Sequence, residues 1–160
     1  MTRLIAACAL ILAWGMTLSG AASAGSGLVH AASFKTDARG AAQQKVPILV
    51  LFSSPGCAYC ERVKREYLVP MQQDPAYRKR VIIREVTVGA STPLTDFDGT
   101  PTTEGAFAAF NNVFMVPTVK VFDTRGKEAS EAIVGLLIAD FYFGYLEAAI
   151  EEGTRKVRGK

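Results

Sequence analysis

An apolar run that leads directly into a pair of cysteines limits most strongly what this chain can fold into. Residues 47–52 read Pro-Ile-Leu-Val-Leu-Phe without interruption, which is typical of a β-strand covered on both faces. Ser-Ser-Pro-Gly at 53–56 breaks the run, and Cys57 opens a segment with helical spacing that extends to about Leu68. The pattern therefore places the Cys-Ala-Tyr-Cys motif at 57–60 at a strand-to-helix turn.

Two cysteines at the start of a helix are suited to thiol–disulfide exchange. The free N–H groups and the positive end of the helix dipole favour the thiolate of Cys57. Cys60 follows one helical turn later on the same face, within disulfide reach. We therefore predict that Cys57 attacks a substrate disulfide and that Cys60, the more buried thiol, resolves the mixed disulfide.

A metal site or a structural disulfide accounts less well for the cysteine pair. A zinc site of four ligands would need all three cysteines and the single histidine, His30, so no metal site is expected. A purely structural disulfide between 57 and 60 would close too short a ring to stabilise the fold much. A non-catalytic module that holds copper(I) or a client protein through the two thiols stays open, although no methionine or further cysteine accompanies the pair.

Composition and charge narrow the class of protein further. A chain of 160 residues with 49% hydrophobic and 21% charged residues fits one globular domain and excludes a disordered chain. The 18 Lys and Arg residues are scattered among 15 Asp and Glu residues. We therefore expect no nucleic-acid partner.

The first 24 residues have the layout of a secretory signal peptide. Arg3 provides a positive start, residues 4–18 are apolar, and Ala-Ser-Ala at 22–24 is a small-residue cleavage site. We expect cleavage after Ala24 and export to the periplasm. An uncleaved membrane anchor is the alternative, because no charged residue appears between Leu4 and Phe34.

The remaining sequence divides into a tether, a domain and a tail. We predict an N-terminal tether at 25–45, with at most a short element near 28–34, a folded domain at 46–153, and a frayed basic tail at 154–160. Pro70 should stop or kink the helix that follows Cys57. His30 should be solvated in the tether, and Phe107, Phe110 and Phe114 should pack in the core.

The domain itself alternates strands with helices. Strands are predicted at 81–88, 118–122 and 128–134, a polar loop at 90–103, a short helix at 104–113, and a final amphipathic helix at 139–152. Within that last helix, Phe141, Tyr145, Ala148 and Ala149 are expected to face inward. This order of elements predicts an α/β fold with helices around a central mixed sheet.

The motifs, taken in order, resemble those of the thioredoxin superfamily over residues 46–152. Leu-Val-Leu-Phe-Ser at 49–53 leads to the cysteine motif at 57–60, Val-Pro-Thr at 116–118 follows about sixty residues later, and Val-Gly-Leu at 134–136 precedes the last helix. A Cys-x-x-Cys motif alone is common among proteins, but this combination of motifs in this order is specific for the resemblance to the thioredoxin superfamily. The resemblance implies a thioredoxin fold.

The resemblance also implies a substrate platform. Pro117 would be a cis-proline facing the cysteines, and cis is energetically accessible only before proline. The main chain of Val116 would pair with an extended substrate, and Tyr59 would line the substrate surface. An ordinary trans proline at the start of an edge strand is the alternative for Pro117.

The exported context makes the chain most similar to periplasmic thioredoxin-like proteins, such as the sulfur-oxidation-associated thioredoxins. That similarity implies a disulfide reductase acting on protein or small-molecule disulfides, supplied by a membrane thiol donor. No organic cofactor is expected, because the thiols themselves carry the reducing equivalents, and we expect a monomer. An oxidase or isomerase of the same fold is the alternative.

One departure from the family concerns proton transfer. Cytoplasmic thioredoxins carry a buried aspartate at the position of Leu51, where it accepts the proton of the second cysteine. Here the proton of Cys60 would go to water or to another carboxylate, of which Glu61 and Glu85 are the nearest candidates. We expect both glutamates to lie on the solvated surface and Cys57 to be only moderately acidic.

Overall fold

The computed structural model describes residues 27–136 and 138–159. The predicted signal peptide lies outside the described residues. The structure contains five α-helices, namely α1 (Phe34–Gln44), α2 (Ala58–Val63), α3 (Val69–Gln73), α4 (Glu104–Phe110) and α5 (Ala139–Val157), in its described part. Its strands are β1 (Ile48–Ser53), β2 (Ile82–Thr87), β3 (Pro93–Thr95), β4 (Pro101–Thr103), β5 (Thr118–Phe122) and β6 (Ile133–Val134).

A mixed four-stranded sheet forms the centre of the fold, in the order β2-β1-β5-β6. Strand β1 is parallel to β2 and antiparallel to β5, and β6 is antiparallel to β5. All six residues of β1 are buried, because helices cover both faces of the sheet. The predicted α/β architecture with a central mixed sheet is therefore confirmed.

The alternation of side chains along β1 divides the core into two clusters. Leu49 and Leu51 pack in the cluster that includes residues of α2, α3 and α5. Ile48, Val50 and Phe52 pack in the cluster that includes residues of α1 and α4. Successive strand residues point to opposite faces, so one apolar run supplies both layers of the core.

The tether expectation is wrong for residues 34–44, which form helix α1. Ser33 caps this helix by accepting a hydrogen bond from the N–H of Thr36. Its buried residues are Phe34, Ala38 and Ala41. Two of these three are alanines, so the helical period is hard to detect in the sequence even though the helix is packed.

The helix after the cysteines does not stop at Pro70. A π-helical turn at Lys64–Leu68 separates α2 from α3, and Pro70 lies in the first turn of α3. Proline is tolerated there because the first turn of a helix has no partner for its N–H groups. The helix is therefore irregular at the π-helical turn that precedes Pro70, and it does not end at the proline.

The segment predicted as a polar loop contains a small β-hairpin. Strands β3 and β4 pair in antiparallel fashion, with Leu94 opposite Thr102. Leu94 is buried, and Phe97 in the hairpin turn stacks on Phe34 with a centroid separation of 4.8 Å. The segment is therefore part of the core packing, because apolar side chains at two positions anchor it.

Of the three phenylalanines expected in the core, Phe107 alone is buried. Its ring stacks on that of Phe34, with the centroids 4.6 Å apart. Phe110 and Phe114 are 80% and 82% exposed. Helix α4 ends at Phe110, so the helical spacing seen in the sequence does not continue to Phe114.

Strand β6 is shorter than the predicted 128–134, because regular pairing with β5 covers only Ile133 and Val134. In the rest of the expected hairpin, Phe122 and Glu128 form an isolated antiparallel bridge.

Helix α5 differs from the prediction in length and in the face it buries. It extends to Val157, so the predicted frayed tail is helical over its first four residues. Phe141, Tyr145 and Ala148 are exposed, and only Ala149 of the expected set is buried. The buried face consists instead of Tyr142, Leu146, Ala149, Ile150 and Gly153.

The correct face of α5 follows the i, i+4, i+7 spacing from Tyr142. The alternative set that starts at Phe141 has the same spacing. Because the first residues of α5 are apolar on all sides of the helix, the sequence does not distinguish the two faces.

Within the described ranges, no helix is both long enough and apolar enough to cross a membrane.

Candidate active site

The two cysteines lie where the sequence predicts them. Cys57 is the N-cap residue of α2, directly after the turn that follows β1, and Cys60 lies in the first turn of the helix. They form a disulfide, with the Cα atoms 5.2 Å apart. Cys60 is fully buried, whereas Cys57 is partly exposed, so only one sulfur of the pair is open to a substrate.

The backbone at the helix start supplies a polar contact to the exposed sulfur. The N–H of Cys60 points to the Sγ of Cys57 at 3.1 Å. An N-cap position places a side chain against the unpaired N–H groups of the first turn. In the reduced protein, the same N–H groups and the helix dipole would stabilise negative charge on Cys57.

The segment that contains Val116 and Pro117 precedes β5, next to the strand that leads to the cysteines. Phe52, near the end of β1, pairs with Thr118, and the Val116–Pro117 peptide bond is cis. Gly135 donates its N–H to the carbonyl oxygen of Pro117 at 2.7 Å. Val116 is partly exposed and Pro117 is buried.

Tyr59 lies between the two cysteines in sequence and is 63% exposed. The first turn of α2 thus carries an exposed aromatic side chain two residues after Cys57.

The surface expectation for Glu85 is wrong, whereas Glu61 is exposed as expected. The Glu85 side chain is 5% exposed and lies opposite Leu51 on the neighbouring strand. Its Oε1 atom accepts hydrogen bonds from the Ser53 hydroxyl at 2.6 Å and from the Lys64 ammonium at 3.1 Å. A buried carboxylate therefore lies on the strand beside the position where Leu51 replaces the family aspartate.

Lys64 joins this buried carboxylate to the helix that carries the cysteines. Its ammonium also contacts Glu61 at 2.6 Å. Burial alone would lower the pKa of Lys64, but its hydrogen bonds to Glu61 and Glu85 outweigh that effect and raise the pKa above its ordinary value. The lysine is thus held as a cation four residues after Cys60.

His30 is exposed as expected, with 55% of its side chain accessible, but it is attached to the sheet and does not lie in a free tether. Its main chain forms a parallel bridge with Glu85 at the outer edge of β2. Its ring nitrogens lie 3.2 Å from a carboxylate oxygen of Glu104 and 3.6 Å from one of Glu85. Glu104 is also buried, and it accepts a hydrogen bond from the N–H of Thr87.

Sequence reasoning missed this group of polar side chains because its members are far apart in the chain. One signal was present. Glu85 lies two residues after Ile83, so the two side chains are on the same face of a strand whose inward residues are apolar. A charged residue at such a position is rarely buried without partners. No cluster of three or more His, Cys, Asp or Glu side chains suited to a metal ion occurs in the part of the chain that the structure describes.

The sheet order, the flanking helices and the cysteine pair at the start of α2 define a thioredoxin fold that carries a redox-type cysteine pair. A thioredoxin-like domain model matches residues 34–150. The chain therefore belongs to the thioredoxin-like family. A search of curated protein sequences found no match to the chain.

The chain is also similar to solved structures at low sequence identity. A thioredoxin-fold protein from Helicobacter pylori is 18% identical, with a TM-score of 0.51 over 72% of this chain and 81% of the other. Oxidised thioredoxin O2 from Arabidopsis thaliana is 18% identical, with a TM-score of 0.49 over 78% and 94%. The periplasmic thioredoxin SoxS from Paracoccus pantotrophus is 20% identical, with a TM-score of 0.45 over 66% and 97%.

Fold and cysteine pair together support a thiol–disulfide oxidoreductase in general. The starting residue of the matched domain, Phe34, also agrees with the finding that α1 is part of the fold and not a tether.

Proposed function

We propose that this protein is a periplasmic thiol–disulfide oxidoreductase that reduces disulfides through Cys57 and Cys60. The observation that carries the proposal is the asymmetry of the pair. Cys57 is partly exposed at the helix N-cap, and Cys60 is buried behind it. An accessible attacking thiol and a protected resolving thiol are what two-step exchange requires.

The reaction begins with the reduced dithiol. The Cys57 thiolate attacks one sulfur of the substrate disulfide, forms a mixed disulfide and releases the other substrate sulfur as a thiolate. Cys60 then loses its proton and attacks the Sγ of Cys57, which releases the second substrate thiol. Two electrons pass from the dithiol to the substrate, and the Cys57–Cys60 disulfide seen in the structure is the oxidised product.

Catalytic turnover requires a reductant for that disulfide. A membrane thiol donor would attack the exposed Cys57 sulfur and restore the dithiol, so the reductant is itself oxidised to a disulfide. We assign the substrate platform to Tyr59, Val116 and Pro117. Tyr59 is exposed two residues after Cys57, and the proline loop precedes the start of β5, which pairs with the end of β1. The signal-type sequence at 1–24 supports export.

The proton of Cys60 needs an acceptor, and water or a carboxylate can serve. Of the two glutamates considered, Glu85 is the buried one and lies beside Leu51 in the sheet register. Glu61 is exposed and contacts Lys64. We therefore favour Glu85 over Glu61 as the carboxylate that influences this proton.

Reduction of insulin disulfides with a dithiol reductant tests the proposal. We expect Cys57→Ser to lower the rate by roughly 1,000-fold or more, because the attacking sulfur is lost. Cys60→Ser should instead accumulate a stable mixed disulfide with the substrate. Equal insulin reduction by the wild type and Cys57→Ser would contradict the proposal.

The equilibrium potential of the pair against glutathione distinguishes a reductase from an oxidase. A reductase should have a potential near that of thioredoxin, about −270 mV, whereas a value near about −120 mV would support the oxidase alternative.

A further inference from the structure

His30 lies between two buried carboxylates that come from different elements of the fold. Its Nδ1 atom is 3.2 Å from Oε1 of Glu104 in α4, and its Nε2 atom is 3.6 Å from Oε2 of Glu85 in β2. The side chains of Glu104 and Glu85 are 1% and 5% exposed, whereas that of His30 is 55% exposed. The imidazole ring therefore connects two buried acidic groups with solvent.

The main chain holds His30 opposite Glu85. The N–H of Glu85 donates to the carbonyl oxygen of Val29 at 2.9 Å, and the N–H of Ala31 donates to the carbonyl oxygen of Glu85 at 2.9 Å. These two hydrogen bonds form the parallel bridge between His30 and Glu85. The ring thus projects from a fixed backbone position, as proton transfer between two side chains requires.

Glu104 determines which ring nitrogen of His30 carries a hydrogen. Its Oε2 atom accepts a hydrogen bond from the N–H of Thr87 at 3.1 Å, and its Oε1 atom faces Nδ1 of His30. An ionised carboxylate only accepts hydrogen bonds, so Nδ1 is the donor in this contact. The neutral ring then presents the lone pair of Nε2 to Glu85.

The two oxygens of Glu85 have different surroundings. Oε1 accepts hydrogen bonds from the Ser53 hydroxyl and from the Lys64 ammonium, and the backbone N–H of Lys64 donates to the carbonyl oxygen of Cys60. Oε2 lies toward His30 instead. When Oε2 carries a proton, a small rotation of the exposed ring or one water molecule closes the 3.6 Å gap to Nε2.

The charges around this contact suit a proton that can leave. Within the described residues, three carboxylates, those of Glu61, Glu85 and Glu104, and one lysine, Lys64, belong to this group of contacts. The other partners of the two buried carboxylates are a hydroxyl and a backbone N–H. Histidine is the side chain that takes up and releases a proton near neutral pH, so His30 can accept a proton from Glu85 and pass it to solvent.

We propose that His30 carries protons between the buried carboxylate of Glu85 and solvent, and that Glu104 is the positioning residue that orients its ring. The inference rests on the proposed function, in which Glu85 influences the proton of Cys60. His30 acts through Glu85 and not on the reacting sulfur atoms.

The proton balance follows the resolving step. When Cys60 attacks the Sγ of Cys57, the proton that Cys60 loses passes to Glu85. Glu85 gives a proton to Nε2 of His30, and the ring releases one proton to water. Glu85 is then ionised again for the next turnover, while the two electrons pass between sulfur atoms only.

Proton exchange at Glu85 in the oxidised protein tests this route without any substrate. Carbon-13 relaxation dispersion of the Glu85 carboxyl carbon, recorded while the group titrates, measures exchange on the microsecond to millisecond scale. Glu85→Gln assigns the resonance by its loss. We expect His30→Ala and His30→Gln to slow the exchange by about 10- to 100-fold.

The two His30 variants are matched controls for each other under added imidazole. His30→Ala leaves space for a free imidazole molecule, whereas the glutamine of His30→Gln fills much of that space. Imidazole should restore the exchange rate of His30→Ala to within about 2-fold of the wild type and leave His30→Gln slow. Unchanged exchange in His30→Ala would overturn the proposal. So would a slow rate that imidazole restores in neither variant or in both, since those results indicate a structural role or a general buffer effect.

The pH profile of the resolving step supplies a second readout. Reaction of the reduced protein with dithiobis(nitrobenzoate) releases one thiolate when Cys57 attacks and a second when Cys60 attacks. We expect the second phase of the wild type to slow relative to the first as the pH falls from about 8 to about 5, because a protonated His30 cannot accept a proton. In His30→Ala the second phase should be about 10-fold slower at pH about 8 and should lack this pH dependence.

The two measurements separate this proposal from the redox function. Exchange at Glu85 that depends on His30, in a protein that does not reduce disulfides, would overturn the proposed function and keep the proton route. Disulfide reduction in which the second phase has the same rate and pH profile in the wild type and His30→Ala would overturn the proton route alone.

Discussion

At the scale of single residues, the most informative side chain is the buried Glu85. It combines an ion pair to Lys64 with a hydrogen bond from Ser53, and it lies on the strand next to Leu51. A buried carboxylate is retained only with such partners, because an unpaired charge in the core is strongly unfavourable. The polar group around Glu85 is therefore built from three separate segments of the chain.

Replacement of Glu85 by Gln tests how strongly this ion pair supports the fold. The amide keeps a partner for Ser53 but removes the charge, and Lys64 then retains only the exposed Glu61. We expect the free energy of unfolding of the oxidised protein to fall by about 1–3 kcal/mol. Urea unfolding at neutral pH measures it.

Glu61→Gln is the matched control, because it removes the other carboxylate from the same ammonium. The Glu61 side chain is 60% exposed, so its loss should change stability by no more than about 0.5 kcal/mol. Equal changes in the free energy of unfolding for the two substitutions would show that the burial of Glu85 does not strengthen its ion pair with Lys64.

At the scale of elements, the turn between β5 and the following segment depends on one carboxylate. Asp123 accepts hydrogen bonds from the N–H groups of Arg125 and Lys127 and from the Arg125 guanidinium. Burial by itself would raise the pKa of Asp123, but these hydrogen bonds outweigh it and lower the pKa below its ordinary value. The ionised form is thus the one that the folded turn prefers.

This direction fixes the sign of a pH dependence. A carboxyl whose pKa is lower in the folded state stabilises the protein above its unfolded pKa, and the contribution is lost as the pH falls through the folded pKa. We expect Asp123→Asn to cost about 1 kcal/mol at pH 7. The difference from the wild type should shrink as the pH falls below about 4.

Unfolding by urea across pH 3–7 measures this difference. Glu151→Gln, which changes an exposed carboxylate on α5, should track the wild type at every pH. A difference for Asp123→Asn that is constant over the whole range would contradict an ionisation effect.

At the scale of the whole molecule, α5 is positioned by a close contact with the sheet. Gly153 is buried, and a Cβ atom there would lie 2.7 Å from Cγ1 of Val121 and 2.9 Å from Cβ of Pro47. Both neighbours belong to buried parts of the sheet layer, so neither can move freely. A glycine is therefore required where helix and sheet approach each other.

Two alanine substitutions in the same helix should have opposite signs. Gly153→Ala should lower the free energy of unfolding by about 1–3 kcal/mol, because overpacking outweighs the gain in helix propensity. Gly144→Ala, at an exposed position with nothing within 4 Å of the added atom, should raise it by up to about 1 kcal/mol. Thermal unfolding measures both, and a stabilised Gly153→Ala would contradict the packing argument.

Much of the fold and the cysteine site is predictable from the sequence because the relevant signals are local. The apolar run at 47–52, the break at 53–56 and the spacing of Cys57 and Cys60 determine a buried strand, a turn and a helix start within fourteen residues. The predicted bounds of strand β5 also agree with the observed ones. These features depend on neighbours in sequence, so a local pattern contains them.

Only the tertiary structure decides three features, namely helix α1, the inward face of α5 and the burial of Glu85. Packing against the rest of the fold stabilises the helix that the small residues of α1 form. Tyr142 rather than Phe141 faces the core because of how α5 packs on the sheet. Glu85 becomes buried because Ser53, Lys64 and His30 reach it from other segments. Sequence determines which groups can pair, but only the folded chain brings distant groups close enough to exclude water between them.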